Sequence, residues 1–162
     1  MRKILFFVMS FFVLNVFCFN VYAEEKPEEA VNVEYEVINV DQLFNSTSTV
    51  SVMQIEGSGL DFDEPWNRHY YLHYSTDDVI VGEIKYGYNG SQIYCEAYSY
   101  WYSHCAKIQI DKTVYTSSVV AAWKPATRTL PYSSNIAGSW FEFGIEMYNA
   151  ETGDTYYFDI RY

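Results

Sequence analysis

Between Cys95 and Cys105 the chain reads Glu-Ala-Tyr-Ser-Tyr-Trp-Tyr-Ser-His, which places Tyr98, Tyr100, Trp101 and Tyr102 in one short run beside His104, with Tyr94 just upstream. An extended segment buries only one of its faces, so alternate rings of such a run point to solvent or to a partner. Tyr and Trp suit that position because they join a large contact area to a polar handle. Sugar stacking, peptidoglycan contact and a protein interface all use this chemistry. The structural alternative is a loop tip folded over the open end of a sandwich, with the rings plugging it.

Other residues with chemical potential are weaker. No Gly-x-Ser-x-Gly occurs, so a serine nucleophile has no starting motif. Glycosidase-like carboxylate pairs assemble from distant positions, and the sequence singles none out. His69 and His73 stand four apart around Tyr70-Tyr71-Leu72, a strand pattern; four residues of strand span about 13 Å, too far for two ligands of one ion. Asp61, Asp63 and Glu64 carry the oxygen chemistry for Ca²⁺ in a loop, without the glycine and terminal glutamate of an EF-hand. No other metal and no cofactor is implied. Asn45-Ser46-Thr47 and Asn89-Gly90-Ser91 match the glycosylation pattern, and a turn already accounts for Asn89.

The N-terminus points to export. Arg2 and Lys3 precede an apolar stretch from Ile4 to Phe19, and Val21-Tyr22-Ala23 supplies a cleavage signal ahead of Glu24-Glu25-Lys26-Pro27-Glu28-Glu29. Residues 1–23 are therefore expected to be a signal peptide cut after Ala23, the rival being an uncleaved anchor. Residues 24–30 read as an acidic, flexible mature N-terminus, and 31–162 as a single β domain. The destination is extracellular, or periplasmic in a Gram-negative source. In the full 162 residues, 21 acidic against 10 basic side chains give a formal charge of −11. That balance argues against an electrostatic grip on nucleic acid or anionic lipid. Membrane contact is expected only through the signal peptide.

In an oxidising compartment, the even pair Cys95 and Cys105 reads as a disulfide. Closing so short a loop contributes roughly 2–3 kcal/mol through the unfolded state.

Positioning these residues falls to strands, because period-2 alternation dominates the chain. Val31, Val33, Tyr35 and Val37 alternate with polar residues, and Val50 to Glu56 repeats the pattern before Gly57-Ser58-Gly59. Residues 61–68 read as a loop. Tyr70 to Tyr74 and Val79 to Tyr88 flank the turn Thr76-Asp77-Asp78, and Asn89-Gly90 supplies a type I′ signal. Counting outward from that turn pairs Tyr86 with Ile93 and Ile84 with Cys95. The Cys95 strand is then expected between residues 80–88 and 103–111, as neighbours of a meander. Thr113 to Trp123 is β-branched and small, and Pro125 and Pro131 punctuate a loop. Ser139 to Tyr148 and Tyr156 to Tyr162 form a hairpin around Gly153. The expected fold is all-β: an antiparallel sandwich or small barrel of about eight or nine short strands with one disulfide.

Tyr86-Gly87-Tyr88, Ala97-Tyr98-Ser99-Tyr100, His104-Cys105-Ala106-Lys107-Ile108, Ala121-Ala122-Trp123-Lys124-Pro125-Ala126-Thr127 and Trp140-Phe141 form a string of signposts over about residues 86–145. It resembles the lactococcin 972 type of secreted bacteriocin. That resemblance implies a signal peptide, a small antiparallel β-sandwich, no cofactor, and action on the envelope of competing bacteria. His104, Ala106, Trp123 and Ala126 are the positions it carries over, without assigning them a role. The expectation is a secreted, non-enzymatic, bacteriocin-like or toxin-like protein that contacts a cell-envelope component, glycan or surface protein through Tyr98, Tyr100, Trp101, Tyr102, His104 and Trp123. An adhesin or glycan-binding module is the alternative, and a secreted hydrolase the third reading.

Overall fold

The computed structural model describes residues 35–75 and 79–162. The signal peptide expected over residues 1–23, the acidic segment expected over 24–30, the start of the strand expected at Val31 and the turn expected at Thr76-Asp77-Asp78 lie outside the described residues. In chain order the elements are β1 (Tyr35–Asn39), the one-turn helix α1 (Asp41–Phe44), β2 (Val50–Glu56), β3 (Trp66–Tyr74), β4 (Val79–Tyr88) and β5 (Gln92–Ser99). There follow β6 (Ser103–Ile110), β7 (Thr113–Thr116), β8 (Ala126–Pro131), a 3₁₀ turn at Ser134–Ile136, β9 (Phe141–Tyr148) and β10 (Thr155–Arg161). They form two five-stranded sheets, β1-β3-β4-β5-β8 and β2-β10-β9-β6-β7, not a closed barrel.

Alternation along each strand decides what the sheets bury. Ile84, Tyr86, Ile93, Cys95 and Ala97 face inward from the first sheet, and Ile108, Phe143, Ile145, Met147, Phe158 and Ile160 from the second; all are fully buried. The layers meet in ring contacts such as Tyr86 stacked on Phe143, centroids 4.5 Å apart and planes 16° from parallel. Phe158 is completely enclosed, so truncating it removes roughly 3–5 kcal/mol of core packing.

The all-antiparallel expectation needs one correction. β1 pairs with β3, and β2 with β10, in parallel. The chain leaves β1 in the first sheet, crosses through α1 to β2 in the second, and returns to β3 beside β1. Two crossings restore the original direction, and parallel pairing is the result.

The hairpin at Asn89-Gly90 also differs from the type I′ register. Tyr88 pairs with Ile93 and Tyr86 with Cys95, two residues out of step with the expectation. The Asn89 side chain is the reason: its Oδ1 accepts from the backbone N–H groups of Ser91 (3.1 Å) and Gln92 (2.8 Å), widening the loop around Gly90, whose φ is +95°. A shift of two leaves every side chain on its own face. It changes which residues sit opposite one another.

β8 replaces the loop expected around Pro125 and Pro131. Ala126 to Pro131 pairs with β5, with Pro131 as its last residue, at the edge of the sheet where a missing N–H costs nothing. β5 therefore lies between β4 and β8, and β6 belongs to the other sheet. The expected meander of β4, β5 and β6 does not form.

Candidate functional site

On the outer face of the first sheet, the side chains excluded from the core are Tyr35 from β1, His69 and Tyr71 from β3, Glu83 and Lys85 from β4, and Glu96 and Tyr98 from β5. The registers place Glu83 opposite Tyr98, Lys85 opposite Glu96, and His69 opposite Lys85. Just past β5, Tyr100 stays on this face because its N–H donates to the Val81 carbonyl at 2.9 Å.

Glu83 is the hub. Its Oε2 lies 3.0 Å from His69 Nε2, and its Oε1 accepts the Tyr100 hydroxyl. Burial lowers the His69 pKa, against the opposing pull of Glu83, so the neutral ring donates through Nε2. Burial, then the bond to Glu83, raises the Tyr100 pKa, which keeps the phenol protonated as a donor. Each carboxylate oxygen has one protein donor and retains acceptor capacity toward the open side. Beside it Tyr98, Tyr100 and Trp123, with Lys85, Glu96 and Pro125, line a cleft of about 370 Å³.

Trp123 completes the cleft at an energetic cost. It is 66% exposed and sits at φ +67°, in the left-handed region that bulky residues avoid. Such a conformation costs on the order of 1–3 kcal/mol and persists only where its surroundings over-determine it. Here the Trp123 N–H donates to the Ser99 carbonyl at 2.9 Å, and its own carbonyl accepts the Tyr98 hydroxyl at 2.6 Å. The indole meets the Tyr100 ring edge-on, centroids 4.8 Å apart. Tyr98 and Tyr100 in turn lie 5.1 Å apart, so three rings form one continuous wall.

The sequence-derived residues thus divide. Tyr98, Tyr100 and Trp123 come together in the cleft. Trp101 and Tyr102 do not: they turn to the end of the sandwich and pack with Phe44 and Tyr74 (Trp101) and with Phe44 and Tyr156 (Tyr102), at centroid distances of 5.4–5.9 Å. His104 is wholly buried, with Nδ1 3.0 Å from the Tyr102 carbonyl, and no partner for Nε2 among the described residues. A side chain without access to solvent cannot contact a ligand, so His104 leaves the site. The aromatic run is not a hairpin but the arch that carries the chain from β5 in one sheet to β6 in the other.

The disulfide expectation is corrected for the same reason. Cys95 and Cys105 are not bonded. Cys95 faces the core from the first sheet, its thiol 3.6 Å from the Gly144 carbonyl, whereas Cys105 points away from the core on the far face of the second sheet, near Glu146 and the Tyr148 hydroxyl. The second sheet separates the two thiols. Burial pushes both pKa values up, to about 12 for Cys95 and about 11 for Cys105. At the calcium option of Asp61, Asp63 and Glu64 the structure gives a local turn. Among the described residues, no three His, Cys, Asp or Glu side chains gather closely enough to hold an ion, and the Asp61 carboxylate caps the Asp63 N–H at 2.9 Å.

Sequence reasoning missed Glu83, Lys85 and Glu96, and weighed His69 only as a metal ligand. Their signal was face parity: each lies on the polar side of an alternating strand. The two-residue slip hid it, because the expected register sets Glu83 opposite Glu96, a repulsive pair, where the true one sets it opposite Tyr98.

Charge is concentrated a second time on the outer face of the second sheet. Lys107 lies 2.8 Å from Glu142 and 2.5 Å from Asp159, and Arg161 reaches Glu142 at 3.1 Å while its guanidinium covers Trp140. Lys107, Glu142 and Asp159 are all buried. Burial pulls the Lys107 pKa down, yet the two carboxylates outweigh it and the net shift is upward. The charges of this network pair with one another, and it reads as structure.

Fold and site together define a two-sheet β-sandwich with an aromatic, carboxylate-bearing cleft on one outer face. Comparison with protein-family models, with curated proteins and with solved structures finds no match to this chain.

Proposed function

We propose that this chain is a secreted, non-catalytic binding protein whose first-sheet cleft engages a glycan of a cell envelope. The observation that carries the reading is Trp123, a large ring held in solvent in a strained backbone conformation and braced by Tyr98 and Tyr100. Exposed ring faces on a rigid sheet stack on the apolar faces of sugar rings. The fixed acceptors of Glu83 meet the hydroxyl groups at the sugar's rim. Trp123→Ala is expected to weaken binding to purified peptidoglycan or intact bacterial cells by about 1–4 kcal/mol, as loss of an interface anchor does. Unchanged binding by a folded variant refutes the reading.

One observation favours the toxin-like form of the proposal. Of the four positions carried over by the lactococcin 972 resemblance, His104, Ala106 and Ala126 are core residues and Trp123 alone is exposed. An exposed position is one a target could meet. A spot assay against related bacteria separates the forms: growth arrest that depends on Trp123 supports the toxin, and binding without arrest supports an adhesin.

A further inference from the structure

The charge of the cleft walls narrows the ligand class. Glu83 and Glu96 are two carboxylates on the same face, and Lys85 stands directly opposite Glu96 in the register, so that pair offsets itself and Glu83 supplies a net negative charge. Both oxygens of Glu83 are held in place, by His69 on one side and Tyr100 on the other, which fixes the acceptor geometry before any ligand arrives. Around it stand the rings of Tyr98, Tyr100 and Trp123, whose negative faces attract a cation. A neutral sugar uses the rings and leaves the charge of Glu83 unmatched. An acidic sugar meets repulsion from the wall and from a chain of formal charge −11. A protonated amine satisfies both the carboxylate and the rings.

We infer that the cleft selects a glycan bearing free amino groups, of the glucosamine type, over its N-acetylated and its acidic counterparts. The inference rests on the glycan reading above and assigns its selectivity to Glu83.

The test measures affinity of the full secreted chain for three probes: a glucosamine hexamer, the N-acetylglucosamine hexamer and a uronic acid hexamer. The glucosamine hexamer is expected to bind about tenfold tighter than the acetylated one at low salt, with the uronic acid weakest. In about 1 M salt the advantage should shrink, because partly exposed charges are screened. Glu83→Gln, checked for its unfolding midpoint, should abolish the advantage. The salt series needs no variant and stands if that protein misfolds. Equal affinity for the glucosamine and acetylated hexamers at low salt overturns the selectivity and leaves the glycan reading intact. An oligolysine peptide binding as tightly as the glucosamine hexamer also overturns it, since charge alone then suffices. No binding of any hexamer, with cell binding indifferent to Trp123→Ala, overturns both.

Discussion

Gly144 is the position where a single added methyl group tests the second sheet most severely. It lies on β9 with Lys107 opposite on β6 and Asp159 opposite on β10, so the three residues form a row across the outer face. The missing side chain is the space through which the Asp159 carboxylate reaches Lys107. A Cβ at residue 144 falls 2.1 Å from Asp159 Oδ1 and 2.6 Å from the Phe158 carbonyl oxygen. The carboxylate can swing aside, but only by leaving the Lys107 ammonium; the backbone carbonyl cannot move without parting β9 from β10. Overpacking of this kind costs about 1–3 kcal/mol, and removing one partner from a buried ion pair costs about 3–5 kcal/mol. Glu142 remains 2.8 Å from Lys107, which limits the second cost. The expected total for Gly144→Ala is therefore about 3–5 kcal/mol.

Urea unfolding measures it. With a slope of about 1–3 kcal/mol per molar, the midpoint should fall by more than about 1 M at unchanged slope. Gly138→Ala is the control, because a Cβ there meets nothing within 4 Å, and it should change stability by no more than about 0.5 kcal/mol. A Gly144→Ala midpoint indistinguishable from that control would falsify the account of the row, and with it the claim that Asp159 and Lys107 pair across a glycine.

Both cysteines should be reduced and sheltered: intact mass is expected not to rise on treatment with reductant, and alkylation should be slow in the native state and complete in urea, whereas rapid native alkylation of either thiol contradicts their burial. Trp101→Ala should cost about 1–3 kcal/mol of stability through its contacts with Phe44 and Tyr74, while cell binding per folded molecule stays unchanged; loss of binding at unaltered stability would return Trp101 to the site. His69 gives a pH dependence whose sign follows from its lowered pKa. The unfolded chain takes up a proton below about 6.5 and the folded chain resists it, so stability falls as pH drops through that value, and His69→Gln should flatten this limb; an identical acid limb in the variant refutes the burial argument.

Much of the fold was legible because parity survives errors of detail. Val50 to Glu56 and Val79 to Tyr88 are strands with the bounds that their alternation suggests, and Gly153, at φ +79°, closes the last hairpin as its position implied. Less visible were features decided by distant contacts. The parallel entry of β1 beside β3 follows from a crossing that no local pattern records. Ala126 to Pro131 follows Pro125 and ends on a proline, and it resembles a loop until β5 offers it a partner. α1 is only one turn; Leu43 anchors it in the core, and the Asp41 N–H donates to Asn39 Oδ1 at 2.8 Å.

The cleft was half legible for a related reason. Ring density around Tyr98 and Tyr100 announced an exposed aromatic face, but density alone could not divide Tyr98 and Tyr100, which stay on the sheet, from Trp101 and Tyr102, which turn with the arch. That division depends on where the chain leaves the first sheet, and the departure is set by the bond from Tyr100 to Val81. The same limit applies to Glu83. A register slipped by two residues keeps every core side chain in the core, so the fold tolerates it, yet it exchanges the cross-strand neighbours on which a surface site is built. A hydrophobic core is specified by which face a residue occupies, and a binding site by which residue stands opposite. Trp123 shows the extreme: its type was plain in the sequence, but its left-handed backbone is imposed by Ser99 and Tyr98, and that brace makes an ordinary tryptophan into the wall of a cleft.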